Sequence, residues 1–179
     1  MTESAEVLFI AGSPGANSRS TALLDALAEP LRNAGVSVRH FGLRDFAAEA
    51  LVLGQFDAPD VTAFVAAVRS AKALVFATPV YKAVYSGGLK AIIDLIAPDA
   101  LEGKALLALA TAKLAAHGAT VDAAFQGLYD FFRGSRRLPT LFLLDGQLKL
   151  EGGALTLDDA GRRALDSARR KLLTAVHSR

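Results

Sequence analysis

Residues 7–18 read VLFIAGSPGANS, an apolar run followed directly by glycine, proline and small polar residues. A short continuous apolar run is typical of a strand buried on both faces, as in a parallel sheet. Residues 19–34 then repeat leucine at helical spacing, and Gly35 is a suitable helix stop. The stretch therefore predicts a buried strand, a turn-rich loop and an amphipathic helix in immediate succession.

The same alternation continues to the end of the chain. Further strands are predicted at residues 36–41, 74–78, 105–110 and 138–144, a short extended piece at 147–150, and helices at about 60–71, 87–96, 119–132 and 157–176. Residues 42–60 and 80–86 are predicted to be irregular, and Pro79 should end its strand because it has no amide hydrogen. Five apolar strands alternating with helices indicate an α/β fold with a doubly wound, five-stranded parallel sheet, order 2-1-3-4-5. No repeat or linker divides the chain, so we expect residues 1–179 to form one domain.

Composition restricts the chemistry. Hydrophobic residues make up 52% of the 179 residues, enough for a large core. The chain has no cysteine, which excludes disulfides, thiolate metal sites and cysteine redox chemistry. Any redox function therefore needs a bound cofactor. His40, His117 and His177 lack ligand spacing, which disfavours a metal enzyme.

Charge and apolar runs suggest the location and exclude some partners. The formal net charge is only +2, and no basic stripe with interleaved aromatics is present, so nucleic acid is not an expected partner. Arg133, Arg136 and Arg137 are predicted to lie at a solvated helix end, where cations are favoured. No apolar run is long enough for a membrane span. Residues 1–6 are polar and acidic, unlike a signal peptide, and we expect a cytoplasmic protein.

The loop after the first strand is rich in groups that bind anions. In a sheet of this order, ligands bind beyond the carboxyl ends of the first and third strands. Hydroxyls, an amide and a positive charge are offered there by Ser13, Asn17, Ser18, Arg19 and Ser20. The following helix adds unpaired amides at the positive end of its dipole, so we predict a phosphate site. Helix capping alone would explain any one of the serines. The loop lacks both the Gly-Lys-Ser/Thr of a P-loop and the Gly-x-Gly-x-x-Gly fingerprint.

The loop after the third strand suits a planar ring. Residues 79–90 read PVYKAVYSGGLK, and Tyr81 offers an aromatic face there. Ser86 and Gly87 would let the backbone approach a flat ligand such as isoalloxazine. The alternative is that the tyrosines only cover the core. Lys82 is a further candidate contact, with solvation as its alternative.

Taken together, the two loops resemble those of the NADPH-dependent FMN reductase family, in particular the branch that serves two-component monooxygenases in alkanesulfonate use. The matching segments are AGSP at 11–14, SRS at 18–20, ATPVYKA at 77–83 and YSGGLK at 85–90. The resemblance implies a flavodoxin-like fold and reduction of FMN by NADPH or NADH through hydride transfer to flavin N5. It also implies a homodimer or homotetramer, with a partner monooxygenase or other acceptor for the reduced flavin.

The resemblance also implies roles for individual residues. Ser13, Ser18, Arg19 and Ser20 should surround the FMN phosphate, whereas Pro79, Val80, Tyr81, Ser86 and Gly87 should line the flavin, with Thr111 near its pyrimidine edge. Ala112 and Lys113 stand where relatives carry glycines, and the alanine Cβ resists positive φ. Lys113 could favour electron-rich atoms of the flavin. No catalytic side chain is expected, because the cofactors carry the chemistry. His117 is interpreted as a packing or loop residue.

Two other functions fit the same residues. One is an FMN-bound reductase of quinones, azo dyes or metal oxyanions, which would retain its flavin through purification. The other is a flavin-binding electron-transfer module without nicotinamide activity. Binding of FMN without oxidation of NAD(P)H would indicate the second.

Overall fold

In the computed structural model, which describes residues 6–178, strands and helices alternate as the sequence predicts. The strands are β1 Val7–Ala11, β2 Val38–Gly42, β3 Ala73–Tyr81, β4 Val84–Tyr85, β5 Ala105–Ala112, β6 Arg136–Arg137, β7 Leu141–Leu144, β8 Leu148–Glu151 and β9 Ala154–Leu157. The helices are α1 Arg19–Asn33, α2 Ala48–Leu53, α3 Pro59–Ser70, α4 Gly87–Ile93, α5 His117–Phe131 and α6 Asp159–His177. Residues 1–5, part of the segment interpreted as unlike a signal peptide, lie outside the described residues.

The main sheet confirms the predicted strand order. Its parallel strands run β2-β1-β3-β5, and both β6 and β7 pair with the far side of β5. β5 takes the fourth position, and the fifth is shared by two short strands instead of one strand over 138–144. Pro139 lies between the two pieces and has no amide for the ladder. The sheet is therefore flavodoxin-like, with an interrupted fifth strand.

The prediction that Pro79 ends the third strand is wrong, because β3 continues to Tyr81. The amide of Gly12 donates to the carbonyl of Ala77 at 2.8 Å, so the carbonyl of Ala77 faces β1. Because strand orientation repeats every two residues, the backbone nitrogen of Pro79 also points toward the β1 side of β3. The strand β1, however, pairs with β3 only as far as Ala77. The nitrogen of Pro79 thus faces a position where no ladder bond is required.

Three other local predictions are wrong. Residues 42–60 are not irregular, since they contain a 3₁₀ turn, Leu43–Asp45, and the helix α2. Residues 80–86 form an antiparallel hairpin in which Val80 pairs with Tyr85. Arg133 directly follows the C-cap of α5, as predicted, but Arg136 and Arg137 lie in β6 and not at a helix end. The extended piece at 147–150 is confirmed as β8, which pairs with β9.

The sheet is covered on both faces. Alternate residues of β5 belong to two separate apolar clusters, with Leu106 and Ala108 in one and Leu107 and Leu109 in the other. The first cluster includes residues of α3, α4 and α5, and the second includes residues of α1 and α6. A ligand can therefore approach the strands only at their ends. Within residues 6–178, no helix is both long and apolar enough to cross a membrane.

Candidate functional site

A cavity of about 640 Å³ opens at the carboxyl ends of β1, β3 and β5. Its walls are the loop after β1 with the start of α1, the last residues of β3, and the end of β5 with the segment that leads into α5, together with one residue that follows β7. The lining residues are Ser13, Gly15, Asn17, Ser18, Arg19, Ser20, Pro79, Val80, Tyr81, Thr111, Ala112, Lys113, Leu114, His117 and Asp145. Its volume is that of a small-molecule site. We call this cavity the cleft.

The N-terminus of α1 presents two buried hydroxyls to the cleft. Ser18 is the N-cap, with extended backbone, and its Oγ accepts the amide of Thr21 at 3.3 Å. The Oγ atoms of Ser18 and Ser20 lie 3.0 Å apart. Ser20 is only 1% exposed although its side chain is polar. Because the first amides of a helix have no carbonyl partner within it, this corner collects donors suited to an anion.

Gly12 allows the loop after β1 to pass close to α4. A Cβ on Gly12 would lie 2.3 Å from the Cβ of Leu89, so any other residue would push the loop away from the helix. The Oγ of Ser86 donates to the carbonyl of Gly12 and accepts the amide of Leu89 at 3.0 Å. Ser86 thus caps α4 and joins the two loops from behind, outside the cleft lining.

Charged side chains make the cleft weakly positive. The guanidinium of Arg19 lies 3.5 Å from the carboxylate of Asp145. Lys113 adds a second cation at the lining, against this single carboxylate. The balance favours an anionic ligand. Asp145 was not predicted to be a site residue, although it directly follows β7, whose carboxyl end lies at the same sheet edge.

Val80 and Tyr81 form the outer wall of the cleft. Both are in the last part of β3, and Tyr81 is 49% exposed. Lys82 occupies the hairpin turn and Gly87 the first turn of α4, and neither lines the cleft. The wall is therefore a short strand with one aromatic side chain at the cleft.

The third wall comes from the end of β5. Thr111 is buried and pairs with Pro79, and Ala112 pairs with Leu144. Within residues 6–178, the non-glycine residues with positive φ are Lys82 and Ala83, so Ala112 and Lys113 keep an ordinary backbone. The expected conflict between the Cβ of Ala112 and a positive φ does not arise. Beyond Lys113, Leu114 and His117 complete this wall.

The structure brings eleven of the fourteen candidate residues to one cavity. They are Ser13, Asn17, Ser18, Arg19, Ser20, Pro79, Val80, Tyr81, Thr111, Ala112 and Lys113. Lys82, Ser86 and Gly87 stand outside it, and Gly15, Leu114, His117 and Asp145 were missed. In the part of the chain that the structure describes, no group of three or more His, Asp or Glu side chains could hold a metal ion.

Known proteins resemble the chain in both sequence and structure. The sequence model of the family described as NADPH-dependent FMN reductase matches residues 5–147. FMN reductase (NADPH) of Escherichia coli K12 is 40% identical over 142 residues, which are 79% of this chain and 74% of that protein. FMN reductase (NADPH) of Pseudomonas putida is 39% identical over 147 residues, covering 82% and 75% respectively. An apo-form crystal structure of the NADH:FMN oxidoreductase EMOB matches with a TM-score of 0.87 at 28% identity, covering 98% of this chain and 91% of that one.

Proposed function

The chain belongs to the NADPH-dependent FMN reductase family, and we propose that the cleft is where it binds FMN and brings the flavin against NADPH. One observation carries the assignment of the site. The cavity that holds the buried hydroxyls of Ser18 and Ser20 also holds the side chain of Tyr81. An anion cradle and an aromatic wall in one cavity suit a ligand with a phosphate at one end and a flat ring at the other.

The residues at the N-terminus of α1 fit the phosphate. One hydroxyl of the Ser18–Ser20 pair donates to the other, so the pair has one proton left for a phosphate oxygen, and the helix supplies amides and the positive end of its dipole. Arg19 supplies a charge, oriented by Asp145. Hydrogen bonds from such groups to a phosphate are among the stronger ones in proteins, because the acceptor is charged.

The other two walls fit the ring. Pro79, Val80 and Tyr81 offer an apolar edge, and Thr111, Ala112 and Lys113 line the cleft beside it, since Thr111 pairs with Pro79 on the neighbouring strand. Lys113 would lie beside the oxygen-rich pyrimidine end, where a cation is favourable. We assign no general acid or base, because the residues of the cleft are needed only to bind and to orient the two cofactors.

When both cofactors are bound, NADPH supplies a hydride that the flavin ring accepts at N5. The protein would contribute by holding the phosphate end and the ring end of the flavin in place. Tyr81 and Leu114 are exposed at the mouth of the cleft, where the second ring would enter.

We infer the destination of the reduced flavin from the resemblance to the alkanesulfonate branch. Reduced FMN would pass to a partner monooxygenase or another acceptor in the cytoplasm, and the chain would assemble as a homodimer or homotetramer. Light scattering on the purified protein tests the assembly. A monomer at micromolar concentration would contradict it.

Oxidation of NADPH, with and without added FMN, tests the activity. We expect turnover that requires flavin, and parallel assays with NADH establish the nucleotide preference. A protein that copurifies with flavin would hold it as a resident cofactor, whereas a colourless active protein would use it as a substrate. Absence of FMN-dependent oxidation of either nucleotide would overturn the proposed function.

A further inference from the structure

The turn between β3 and β4 has an unfavourable backbone. Lys82 has φ +51° and Ala83 has φ +71°. A two-residue hairpin turn with both central residues at positive φ normally carries Asn-Gly or Gly-Gly. Side chains with a Cβ are disfavoured there, and such conformations persist only when their surroundings hold them. Contacts with the neighbouring elements must therefore stabilise this conformation of the turn.

A side chain of α5 contacts the turn directly. The Oγ1 of Thr120 lies 2.8 Å from the carbonyl oxygen of Ala83 and 3.0 Å from that of His117. A threonine hydroxyl has one proton, so it donates to one of these carbonyls at a time. The bond to His117 is an ordinary contact within a helix, whereas the bond to Ala83 joins residues 37 positions apart. Thr120 thus links the first turn of α5 to the hairpin.

The strand β4 of this hairpin also contacts α5. The other strand, β3, lines the cleft. The rings of Tyr85 and Phe125 lie 5.2 Å apart, which places β4 against the helix. Val84 pairs with Tyr81, which lines the cleft. A shift of the turn would therefore move the outer wall of the cleft.

We propose that Thr120 is a positioning residue for flavin binding. Its hydroxyl donates to the carbonyl of Ala83, holds the turn in its unfavourable conformation and so keeps Tyr81 at the outer wall. Thr120 does not line the cleft. The inference rests on the proposed function, since the wall that Thr120 supports is the one assigned to the flavin ring.

The test compares Thr120→Val, which keeps the shape but removes the hydroxyl, with Thr120→Ser, which keeps the hydroxyl. Thr174→Val is the matched control, because the hydroxyl of Thr174 donates only to its own helix, at the carbonyl of Arg170. Hydrogen exchange of the amides of residues 82–84 is measured on the flavin-free proteins. Titrations with FMN and with riboflavin, which lacks the phosphate, are followed by flavin fluorescence.

In Thr120→Val we expect faster exchange at the turn and weaker binding of both flavins by the same factor, about three- to tenfold for one hydrogen bond. Thr120→Ser and Thr174→Val should behave like the parent protein. Unchanged exchange at 82–84 would overturn the link, and unchanged flavin affinity would overturn the positioning role. Loss confined to FMN would place the effect at the phosphate loop and also overturn it. If the parent protein binds neither flavin, the proposed function fails, and that result is distinct from all of these.

Discussion

Ser20 is a polar residue that is almost completely buried and has a hydroxyl for a neighbour. Its Oγ contacts the Oγ of Ser18, and no cap depends on it. We expect Ser20→Ala to weaken FMN binding about tenfold or more, because a hydrogen bond to a charged phosphate is lost. Riboflavin affinity should stay unchanged. The test compares the dissociation constants of FMN and riboflavin in the variant and in the parent protein. Equal weakening of both would show that Ser20 serves the ring or the fold instead.

Ser18 combines a structural role with a proposed binding role, and a single substitution can separate them. Aspartate is as good an N-cap as serine, so Ser18→Asp should preserve the bond to the amide of Thr21 and the free energy of unfolding. Its negative charge would repel a phosphate. We expect loss of FMN binding with near-normal urea denaturation and retained riboflavin binding. Ser18→Ala is the control, and it should destabilise the protein by about 1 kcal/mol through loss of the cap. Normal FMN affinity in the aspartate variant would contradict the phosphate site.

His40 makes stability depend on pH. Burial lowers the pKa of its imidazole, although Asp25 and Asp45 favour the charged form, and Arg32 acts with burial. The ring lies edge-on to Phe9 at 5.1 Å, and its Nε2 lies 3.3 Å from the guanidinium of Arg32, a donor to the neutral ring. The unfolded chain therefore binds the proton more readily, so stability falls as the pH drops below about 6.5.

Urea denaturation between about pH 8 and pH 5 measures this dependence. We expect His40→Gln to have a flatter profile than the parent protein in this range. The difference should appear only below the pKa of an unfolded histidine. Identical slopes for the two proteins would show that His40 does not carry the effect.

At the scale of elements, the turn of the β3–β4 hairpin stores strain that glycine can release. We expect Ala83→Gly to raise the free energy of unfolding by about 0.5–1 kcal/mol, since relief of the positive φ exceeds the entropy that glycine adds to the unfolded chain. Gly35 is the matched reverse case: its φ is +79° and nothing lies within 4 Å of its missing Cβ. Gly35→Ala should destabilise the protein by about 1 kcal/mol. Chemical denaturation measures both, and a destabilised Ala83→Gly variant would contradict the strain argument.

Elements with strong local signals were predictable from the sequence. Apolar runs specify β1 and β5, and helical spacing followed by Gly35 specifies α1. The hairpin was not predictable, because Lys82-Ala83 carries no turn signal and depends on α5 for its conformation. The extension of β3 past Pro79 depends on where its neighbour ends, which no single segment encodes.

The residues of the candidate site were likewise predictable only where the signal is local in the sequence. The loop proposed to bind the phosphate is one continuous segment, so its serines could be found in the sequence. Asp145 follows β7 and His117 begins α5, and the order of the sheet brings both to the cleft. Ser86 was identified as a site residue, but its contacts are with Gly12 and Leu89, which only the packing of two loops reveals.

At the scale of the molecule, the cleft depends on contacts between distant parts of the chain. The loops after β1 and β3 are joined by Gly12 and Ser86, 74 residues apart. Both loops leave strands that are buried on two faces, so the scaffold beneath them is rigid while the loops remain accessible. A ligand that contacts both loops should therefore stabilise the folded state as a whole.

That stabilisation can be measured as a shift in melting temperature. A ligand that binds only the folded state at 100 times its Kd adds about 2.7 kcal/mol. For a chain of this length, such a gain raises Tm by about 5–10 °C. We expect FMN to produce this shift in the parent protein and to produce little in Ser18→Asp at the same concentration. Riboflavin at 100 times its own Kd should produce the same shift as FMN, because the gain depends on saturation and not on the phosphate. Full FMN stabilisation of Ser18→Asp would mean that the flavin binds the folded chain somewhere other than at the N-terminus of α1.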